Sequence, residues 1–450
     1  MIGYEFEFLV REGDRPLSKA TFLKFHEVLH LRGWTPKFDP GTGGLVGSEK
    51  DGVSVTIDDA TCIMELNMLP KETIAECDRD IRALLFELQA IYTTLGASMI
   101  GLGVFPGPFP IESNHCEKFC TEDICCDKSY IKYFNAERFP GGHHALFAVA
   151  AHQVWLDVPA DDLLLQLQVF NALTPLFIAL FGNGPVLNNQ ELGILEGRDQ
   201  LWRTMIGASS IPGEERRFGM PSKQCDSIAE YFCYILDQPF YFTLREGKGV
   251  KVNDPNITYR DFFLAEEVEG QYFDGTPLQL APTREDFFRL QQQTFPHVRI
   301  KYRIKEGIEL PEILAAVLEG DDRRLLGFFE RVFLECRALS AQPLQDISAG
   351  PALVFGVQKN LATAQQLTQK YPYEFWMKLY DATVVEGLGA MVDDVSALEL
   401  CKALLAIAGD GQFLAPLSER ISTGRNPAVE ALQLWKSGGL AALFQARDFS

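Results

Sequence analysis

The residues best suited to chemistry near the start of the chain are carboxylates on strand-like segments. The opening segment GYEFEF alternates aromatic and acidic side chains, and neighbouring side chains of a strand point to opposite faces of a sheet. Glu5 and Glu7 therefore share one face. Glu65 lies in the mostly apolar segment IMELNML, where an unpaired buried carboxylate would cost free energy. With Asp58 or Asp59, these acids predict either a site for Mg²⁺ and bound phosphates or solvated strand faces.

A strand-like segment near residue 300 is basic instead. In VRIKYRIK every second side chain is cationic, and the side chains between them are apolar. The four cationic residues are Arg299, Lys301, Arg303 and Lys305. Such a face predicts an anion site for phosphates or carboxylates if it lines a cavity, and a solvated sheet face if it does not.

A third set of polar residues lies in the middle of the chain. The segment HHALFAVAAHQVWLDVP predicts a strand with Gln153 and Trp155 on one face and His152 on the other. The turn FGNGPV has glycines that allow a ligand to approach the backbone closely. Arg198, in the following EGRDQLW, has the geometry to bind a carboxylate through two hydrogen bonds. A surface ion pair is the alternative interpretation of this arginine.

A cluster of thiols lies in the segment HCEKFCTEDICCD. It contains His115, Cys116, Cys120, Cys125 and Cys126. Thiolates bind zinc or iron–sulfur clusters, but the spacings differ from the C-x-x-C pairs that are typical of zinc fingers. A regulatory disulfide or unpaired loop thiols are therefore the favoured interpretations.

These residues must be positioned by a fold that mixes helices and strands. In the first two thirds of the chain, strand-like segments alternate with long helical patterns. The remainder shows only helical patterns, including one over residues 322–339. The sequence therefore predicts an α+β catalytic domain over residues 1–309 and an all-helical C-terminal region over residues 310–450.

The composition narrows the classes of partner. The 450 residues carry a net charge of -20 and have a pI of about 4.8, which argues against nucleic acid or an anionic membrane as the main partner. The N-terminus lacks the basic and apolar regions of a signal peptide, and no apolar stretch has the length of a membrane span. We therefore expect a cytoplasmic protein whose ten cysteines are mostly reduced. The composition does not indicate an oligomeric state.

Taken in order, these segments resemble the glutamate–cysteine ligase family of the plant and proteobacterial type and, more distantly, the bacterial carboxylate–amine ligases. GYEFEF is similar to the family's Gly-Thr-Glu-His-Glu, IMELNMLP to Phe-Glu-Leu-Ser-Gly-Ala-Pro, and HQVWLDV to Val-Gln-Val-Asn-Leu-Asp-Phe. GRDQLW stands where the family has Phe-Arg-Ser-x-Ile-Trp, and TFPHVRIKYRI resembles Ile-Phe-Pro-Glu-Val-Arg-Leu-Lys-Arg-Tyr-Leu. TPLFIALFGNGPV and LDQPFYFTLR match two further segments. The resemblance covers roughly two thirds of the chain.

The resemblance implies a glutamine-synthetase-like fold, in which a curved antiparallel sheet forms a funnel with helices outside. It implies ATP and Mg²⁺, and an ADP-forming ligation of a carboxylate to an amine through an acyl phosphate. The substrates would be small and amino-acid-like, as in glutathione biosynthesis.

The resemblance also assigns roles to residues of this chain. The family's metal and nucleotide positions fall on Glu5, Glu7, Glu65 and Gln153, with His152 as the alternative metal ligand if the register shifts by one residue. Positions near substrate or phosphate fall on Arg198, Trp202 and Arg299, and the same basic strand supplies Lys301 and Arg303 for the nucleotide.

One departure from the family follows the basic strand, where the family has Leu-Glu-Met-Arg. An alignment without gaps places Ile304, Lys305, Glu306 and Gly307 there. Because a protonated lysine is not a metal ligand, Lys305 either replaces one metal ion as a fixed catalytic cation, or Glu306 or Glu309 reaches the site instead. The alternative to a ligase is a catalytically inactive relative that binds a ligand or a partner protein.

Overall fold

The computed structural model of the protein describes residues 1–108, 138–140 and 143–449. An antiparallel sheet of ten strands forms the centre of this part of the chain, and helices pack around it. The predicted α+β class with a large antiparallel sheet is therefore confirmed. The predicted cluster of one histidine and four cysteines between residues 115 and 126 lies outside the described residues.

The central sheet combines eight strands from residues 2–157 with two strands from residues 298–340. They are β1 (Ile2–Glu12), β2 (Arg15–Pro16), β3 (Thr35–Phe38), β4 (Leu45–Lys50), β5 (Val53–Ile57), β6 (Ile63–Lys71), β7 (Ala97–Ile100), β8 (Ala151–Asp157), β9 (Val298–Ile304) and β10 (Phe329–Ser340). Their order is β9-β10-β8-β1-β6-β5-β4-β3, with β2 and β7 also paired to β1. Strand β1 therefore lies beside both β6 and β8.

The aromatic face of β1 forms part of the hydrophobic core, as its alternation predicts. The rings of Tyr4 and Phe6 stack with centroids 5.6 Å apart, and those of Phe6 and Phe8 lie 6.1 Å apart. All three side chains are buried, and burial of each contributes about 1.5–3 kcal/mol. Because this face is committed to the core, the carboxylates of β1 must point to the opposite side of the sheet.

Fifteen α-helices surround the sheet within the described residues. They are α1 (Lys19–Leu31), α2 (Ile74–Thr94), α3 (Leu163–Phe181), α4 (Gly197–Gly207), α5 (Ile228–Leu236), α6 (Tyr259–Leu264), α7 (Arg284–Gln293), α8 (Leu310–Glu319), α9 (Asp322–Phe328), α10 (Ala349–Lys359), α11 (Leu361–Thr368), α12 (Tyr373–Glu386), α13 (Ala397–Ala408), α14 (Ala415–Thr423) and α15 (Pro427–Arg447). Several begin with side-chain caps. The Thr73 hydroxyl of α2, for example, accepts a hydrogen bond from the Glu76 backbone N–H, which satisfies one of the unpaired donors of a helix start.

Helix α3 is the most apolar helix of the described chain. Together with the turn that precedes it, over Ala160–Phe181, it has a mean hydropathy of 1.8, and 83% of its most apolar 18-residue stretch is buried inside the protein. By length and composition it is the one described segment that matches a membrane span. Its burial among other elements is that of a core helix.

The prediction of an all-helical C-terminal region is wrong. Residues 329–339, predicted as part of a helix over residues 322–339, lie in strand β10 between β8 and β9. Helices α8 and α9 fill the connection from β9 to β10. The chain beyond residue 309 therefore contributes a strand to the centre of the sheet.

Shorter strands lie outside the central sheet. A four-stranded antiparallel sheet contains Thr243–Arg245, Lys248–Val252, Val268–Tyr272 and Pro277–Leu280. Two-stranded pairs join Val186–Leu187 to Gln190–Glu191, Met391–Val392 to Val395–Ser396, and, in parallel, Phe218–Gly219 to Phe295–Pro296. The parallel pair positions the residues that lead directly into β9.

Candidate active site

One face of the central sheet lines a cavity of about 440 Å³. Strands β1, β6, β8, β9 and β10 each contribute polar side chains to it. Of the predicted site residues, those that line the cavity are Glu5, Glu7, Glu65, Gln153, Arg198, Trp202, Arg299 and Lys301. Residues that had been predicted from distant parts of the chain are thus brought together by the pairing of these strands.

The register of the sheet explains why the acids meet. Glu7 on β1 is paired directly with Glu65 on β6, and Glu5 lies between Asn67 on β6 and Gln153 on β8. Side chains of directly opposed residues lie on the same face of a sheet, about 5 Å apart at Cβ. Three carboxylates therefore share one side of the cavity, as the alternation in GYEFEF and IMELNML predicts.

A chain of hydrogen bonds crosses from the acidic strands to the basic ones. The carboxylate of Glu7 accepts hydrogen bonds from the Ala151 backbone N–H at 2.7 Å and from Gln153 Nε2 at 2.8 Å. Gln153 Oε1 in turn accepts a hydrogen bond from Arg337 Nη1. Gln153 therefore connects a carboxylate of β1 to an arginine of β10 and fixes both side chains in place.

The basic side of the cavity is organised around a buried carboxylate, Glu335 on β10. Its Oε2 accepts a hydrogen bond from Arg299 Nε at 2.5 Å, while Lys301 Nζ and Arg337 Nη1 lie 3.8 Å and 3.5 Å from Oε1. Burial alone would raise the pKa of Glu335, but the three cations outweigh it and lower that pKa to about 2. Glu335 is therefore ionised at neutral pH. Its Oε1 has no hydrogen bond within the described residues.

The acidic side of the cavity shows the opposite effect. Burial, followed by the charge of Asp58, raises the pKa of Glu7 to about 8. Burial, followed by the charges of Glu65 and Glu335, raises the pKa of Glu5 well above its ordinary value. Ionised carboxylates this close together are stabilised by a cation, so this side of the cavity favours the binding of positive charge.

The donor set fits Mg²⁺ bound jointly by protein and phosphate. Within the described part of the chain, no three histidine, cysteine or acidic side chains already form a closed group of ligands. Mg²⁺ rarely uses such a cage, because it retains water molecules and binds one or two carboxylates together with phosphate oxygens. The crowded carboxylates Glu5, Glu7 and Glu65, which line the cavity, meet that requirement.

Three predicted site residues lie elsewhere. His152 is paired with Phe6 and points into the core, where its ring packs against Phe6 at 4.7 Å, and burial lowers its pKa to about 3. Lys305 follows the end of β9, and its exposed Nζ donates a hydrogen bond to the Gly327 carbonyl at 2.7 Å. Neither residue lines the cavity, so the predicted roles of His152 as a metal ligand and of Lys305 as a catalytic cation are corrected.

Arg303 is the third of these residues. It is mostly exposed and lies 3.8 Å from Glu330. It borders a smaller side cavity of about 250 Å³ rather than the main one. The alternation of VRIKYRIK is present, but only Arg299 and Lys301 line the main cavity. Strand β9 leaves the cavity after Lys301, so Arg303 and Lys305 lie outside it.

The side cavity is aromatic and cationic. Its walls include Trp155, Phe288 and Phe333, and it shares Gln292 and Lys301 with the main cavity. Lys301 Nζ lies 4.9 Å from the centroid of the Trp155 ring, a cation–π distance. Trp155 Nε1 is buried without a hydrogen-bond partner in the described chain. The aromatic walls and the lysine of this cavity suit a planar ring.

Comparison with known proteins identifies the family. Residues 1–317 match the model of glutamate–cysteine ligase family 2. The chain belongs to this family. Among curated relatives, the chloroplastic glutamate–cysteine ligases of Medicago truncatula and Solanum lycopersicum are both 23% identical to it, over 390 and 393 residues and 82% of this chain. The alignments span 66% and 64% of those two proteins, slightly less than two thirds of their length.

A solved structure supports the same fold for this member of glutamate–cysteine ligase family 2. The glutamate–cysteine ligase of Francisella tularensis, determined in complex with AMP, superposes with a TM-score of 0.52. The match covers 99% of this chain and 87% of that one at 13% sequence identity. At this identity the likeness concerns the fold alone.

The family 2 resemblance also explains what the sequence prediction missed. Residues 334–337 read Leu-Glu-Cys-Arg, which agrees at three of four positions with the Leu-Glu-Met-Arg expected after the basic strand. The gap-free alignment had placed that segment at residues 304–307, about thirty residues too early. Helices α8 and α9 account for the offset. Glu335 and Arg337 are thus the site residues that a search for the motif further along the chain would have found.

Proposed function

We propose that this protein is an ATP-dependent, ADP-forming ligase that joins a small amino-acid-like carboxylate to an amine. The observation that carries the proposal is a single cavity with one acidic and one basic side, in a member of glutamate–cysteine ligase family 2. A complex of Mg²⁺ with a nucleotide triphosphate satisfies both sides, because it presents a cation to the carboxylates and phosphate oxygens to the arginines.

The residues that would hold Mg²⁺ are Glu5, Glu7, Glu65 and Glu335. When bound, the ion would neutralise charge on the transferring phosphoryl group. We assign Leu334–Arg337 as the counterpart of the family's Leu-Glu-Met-Arg. Glu335 would then be the glutamate of that motif, a metal-binding role that a protonated Lys305 could not take. The acidic residues and this glutamate belong to strands of one sheet, in which β8 separates β10 from β1.

The cationic residues of the cavity would act on the phosphates. Arg198, Arg299, Lys301 and Arg337 all line the cavity, and fixed cations aimed at the charge that develops in phosphoryl transfer lower its barrier. The substrate carboxylate would attack the γ-phosphate to give an acyl phosphate, and the amine would then displace phosphate. Arg299 and Arg337 are already held by Glu335 and Gln153, so little reorganisation is needed when the phosphates bind.

The side cavity would accept the nucleotide base. Trp155 and Phe333 provide faces for stacking, and base stacking on an aromatic side chain contributes about 1–3 kcal/mol. Lys301 stands between the side cavity and the main one, so it would lie beside the phosphates when the base is stacked. Removing the indole by Trp155→Ala is therefore expected to weaken ATP binding more than binding of inorganic tripolyphosphate.

The experiment that tests the proposal measures ADP release with Mg²⁺, ATP and a panel of carboxylate–amine pairs that includes glutamate with cysteine. Arg337→Gln should lower kcat by about 100-fold or more, the usual loss when one stabilising donor is removed. Arg324→Gln is the matched control, because Arg324 lies on exposed α9 and pairs with Glu319 at 3.5 Å. Absence of ADP release with every pair, from folded wild-type protein, would contradict the proposal.

The alternative of an inactive relative rested on Lys305 at a metal position. Because Lys305 bonds to the Gly327 carbonyl and is not among the residues that line the cavity, its presence does not argue for an inactive relative. Binding of Mg²⁺ and ATP without any ADP release would restore this alternative.

A further inference from the structure

A buried polar cluster lies behind the arginines of the main cavity and outside its walls. Asp199 Oδ2 lies 2.8 Å from His297 Nε2 and 2.6 Å from the Tyr380 hydroxyl. His297 Nε2 and the Tyr380 hydroxyl are themselves 2.9 Å apart. All three residues are at most 5% exposed. Because an ionised carboxylate only accepts hydrogen bonds, both His297 Nε2–H and the Tyr380 hydroxyl donate to Asp199.

The cluster is joined through the backbone to three cavity arginines. Asp199 follows Arg198 in the first turn of α4. His297 directly precedes β9, which carries Arg299 two residues later, and its carbonyl accepts a hydrogen bond from the Arg337 backbone N–H at 2.8 Å. A displacement of His297 or Asp199 would therefore move the backbone from which these arginines project.

Tyr380 lies outside the part of the chain that the family model matches. It lies on α12, well beyond residue 317, where that match ends. Its hydroxyl is closely surrounded, since a Cβ added to Gly219 would lie 2.9 Å from it. Gly219 has a φ of +87°, a conformation that favours glycine. The Tyr380 hydroxyl is therefore one well-packed contact between the C-terminal region and the back of the site, beside the bonds of Asp381 to Arg203 and of the Val384 carbonyl to the Glu196 backbone N–H.

The partners of Tyr380 also differ from the family motifs quoted above. In the segment similar to Phe-Arg-Ser-x-Ile-Trp, Asp199 stands in place of serine. In the segment similar to Ile-Phe-Pro-Glu-Val-Arg, His297 stands in place of glutamate. A glutamate at 297 would meet the Asp199 carboxylate as a like charge, so the two departures compensate each other within this chain.

We propose that Asp199, His297 and Tyr380 form a positioning cluster through which the C-terminal helix α12 sets the orientation of Arg198, Arg299 and Arg337. These are positioning residues, because none of them lines the cavity. The kinetic test of this positioning cluster rests on the proposed function, because it needs ligase turnover. The cluster also gives the region beyond residue 340 a role in the site in addition to its role in packing.

The first test removes one hydroxyl. Tyr380→Phe keeps the ring and loses the hydrogen bond to Asp199. Tyr373→Phe, on the same helix, loses a hydrogen bond to the Pro221 carbonyl at 3.0 Å and is the matched control. We expect Tyr380→Phe to lower kcat about tenfold or more, because small misplacements of catalytic groups have large effects on rate, with the KM for the amine unchanged. A purely structural role, in which both variants lose similar thermal stability and neither loses kcat, overturns the proposal.

The second test exchanges the compensating pair. His297→Glu should reduce kcat strongly, because it places two carboxylates side by side. The double variant Asp199→Ser/His297→Glu should have a kcat at least about tenfold higher than His297→Glu alone, since it removes the like-charge contact. Additive losses in the double variant would show that the two residues act independently, and would contradict the proposal.

A binding measurement separates this proposal from the ligase proposal. The dissociation constant of inorganic tripolyphosphate with Mg²⁺, measured by calorimetry, reports on the arginines without any turnover. We expect it to rise about tenfold in Tyr380→Phe and to stay unchanged in Tyr373→Phe. If this holds while the wild type releases no ADP, the ligase proposal fails and the positioning cluster stands. If neither the dissociation constant nor kcat responds to Tyr380→Phe, or the wild type binds no tripolyphosphate, the positioning proposal is overturned.

Discussion

Glu335 provides the most quantitative prediction from this structure, because it is completely buried and faces three cations. Replacement by glutamine keeps the shape of the side chain and removes its charge. Arg299, Lys301 and Arg337 then lose the carboxylate that they share. A glutamine resembles the protonated carboxyl group, so the depressed pKa of Glu335 measures how much stability the charge contributes.

The magnitude follows from linkage between protonation and folding. The pKa of Glu335 is about 2 in the folded protein, against an ordinary value of 4.5. At about 1.36 kcal/mol per pKa unit, the ionised carboxylate contributes about 3 kcal/mol to the free energy of unfolding. Because the folded pKa is the lower one, this contribution is complete above pH 4.5 and is lost as the pH falls towards 2.

Equilibrium urea unfolding of wild type and Glu335→Gln measures this contribution. We expect the difference to be about 3 kcal/mol at pH 7 and to narrow to about 2 kcal/mol at pH 3.5. Glu330→Gln on the same strand is the control, since Glu330 and its partner Arg303 are largely exposed and 3.8 Å apart, and it should change stability by less than about 1 kcal/mol. Equal effects of the two substitutions at pH 7, or a difference that does not depend on pH, would refute the reasoning.

Three further predictions concern other parts of the site. The pKa of Glu7 is raised to about 8 from an ordinary 4.5. The stability that the protonated Glu7 contributes should therefore be present below pH 4.5 and be lost as the pH rises through 8. Glu7→Gln should flatten this dependence of stability on pH, measured by thermal unfolding of the free protein. Lys305→Ala should leave kcat for ADP release unchanged, because the Lys305 ammonium donates to the Gly327 carbonyl away from the cavity. A tenfold loss of kcat would instead show that Lys305 takes part in the reaction. Gly219→Ala should lower the unfolding free energy by more than about 1 kcal/mol in urea, because of its positive φ and the nearby Tyr380 hydroxyl; wild-type stability would contradict this.

The acidic side of the site could be predicted from sequence because GYEFEF alternates cleanly and Glu65 interrupts a mostly apolar segment. In GYEFEF the aromatic face identifies the core and leaves the acids on the other face, and an unpaired carboxylate such as that of Glu65 is costly to bury in the core. The prediction did not need the strand order, since two short strands that share one sheet and one core must present their acids to the same side. The placement of Glu5, Glu7 and Glu65 in one cavity follows from that local pattern.

The basic side was only half predicted, for a different physical reason. Strand β10 has the same alternation, with Val332, Leu334 and Cys336 buried on the core side, but it follows directly on helix α9. The apolar residues of the two elements together recur every three or four residues, which predicted one long helix over residues 322–339. The inserted helices also separated the Leu-Glu-Cys-Arg segment from the basic strand, so an alignment without gaps could not reach Glu335.

One side of the cavity is acidic and favours a cation, and the other is basic and favours an anion. The order of strands in the sheet brings these two sides together. On β1 and β6 the carboxylates crowd together and the pKa values of Glu5 and Glu7 rise, whereas on β9 and β10 the cations outnumber Glu335 and its pKa falls. Gln153 on β8 lies between them and bonds to both Glu7 and Arg337. A neutral amide is suited to this boundary, because it donates to a carboxylate and accepts from a guanidinium at once. A charged residue at this position would leave one of the two neighbours facing a like charge, so the division of the cavity depends on this glutamine as much as on the charges that it separates.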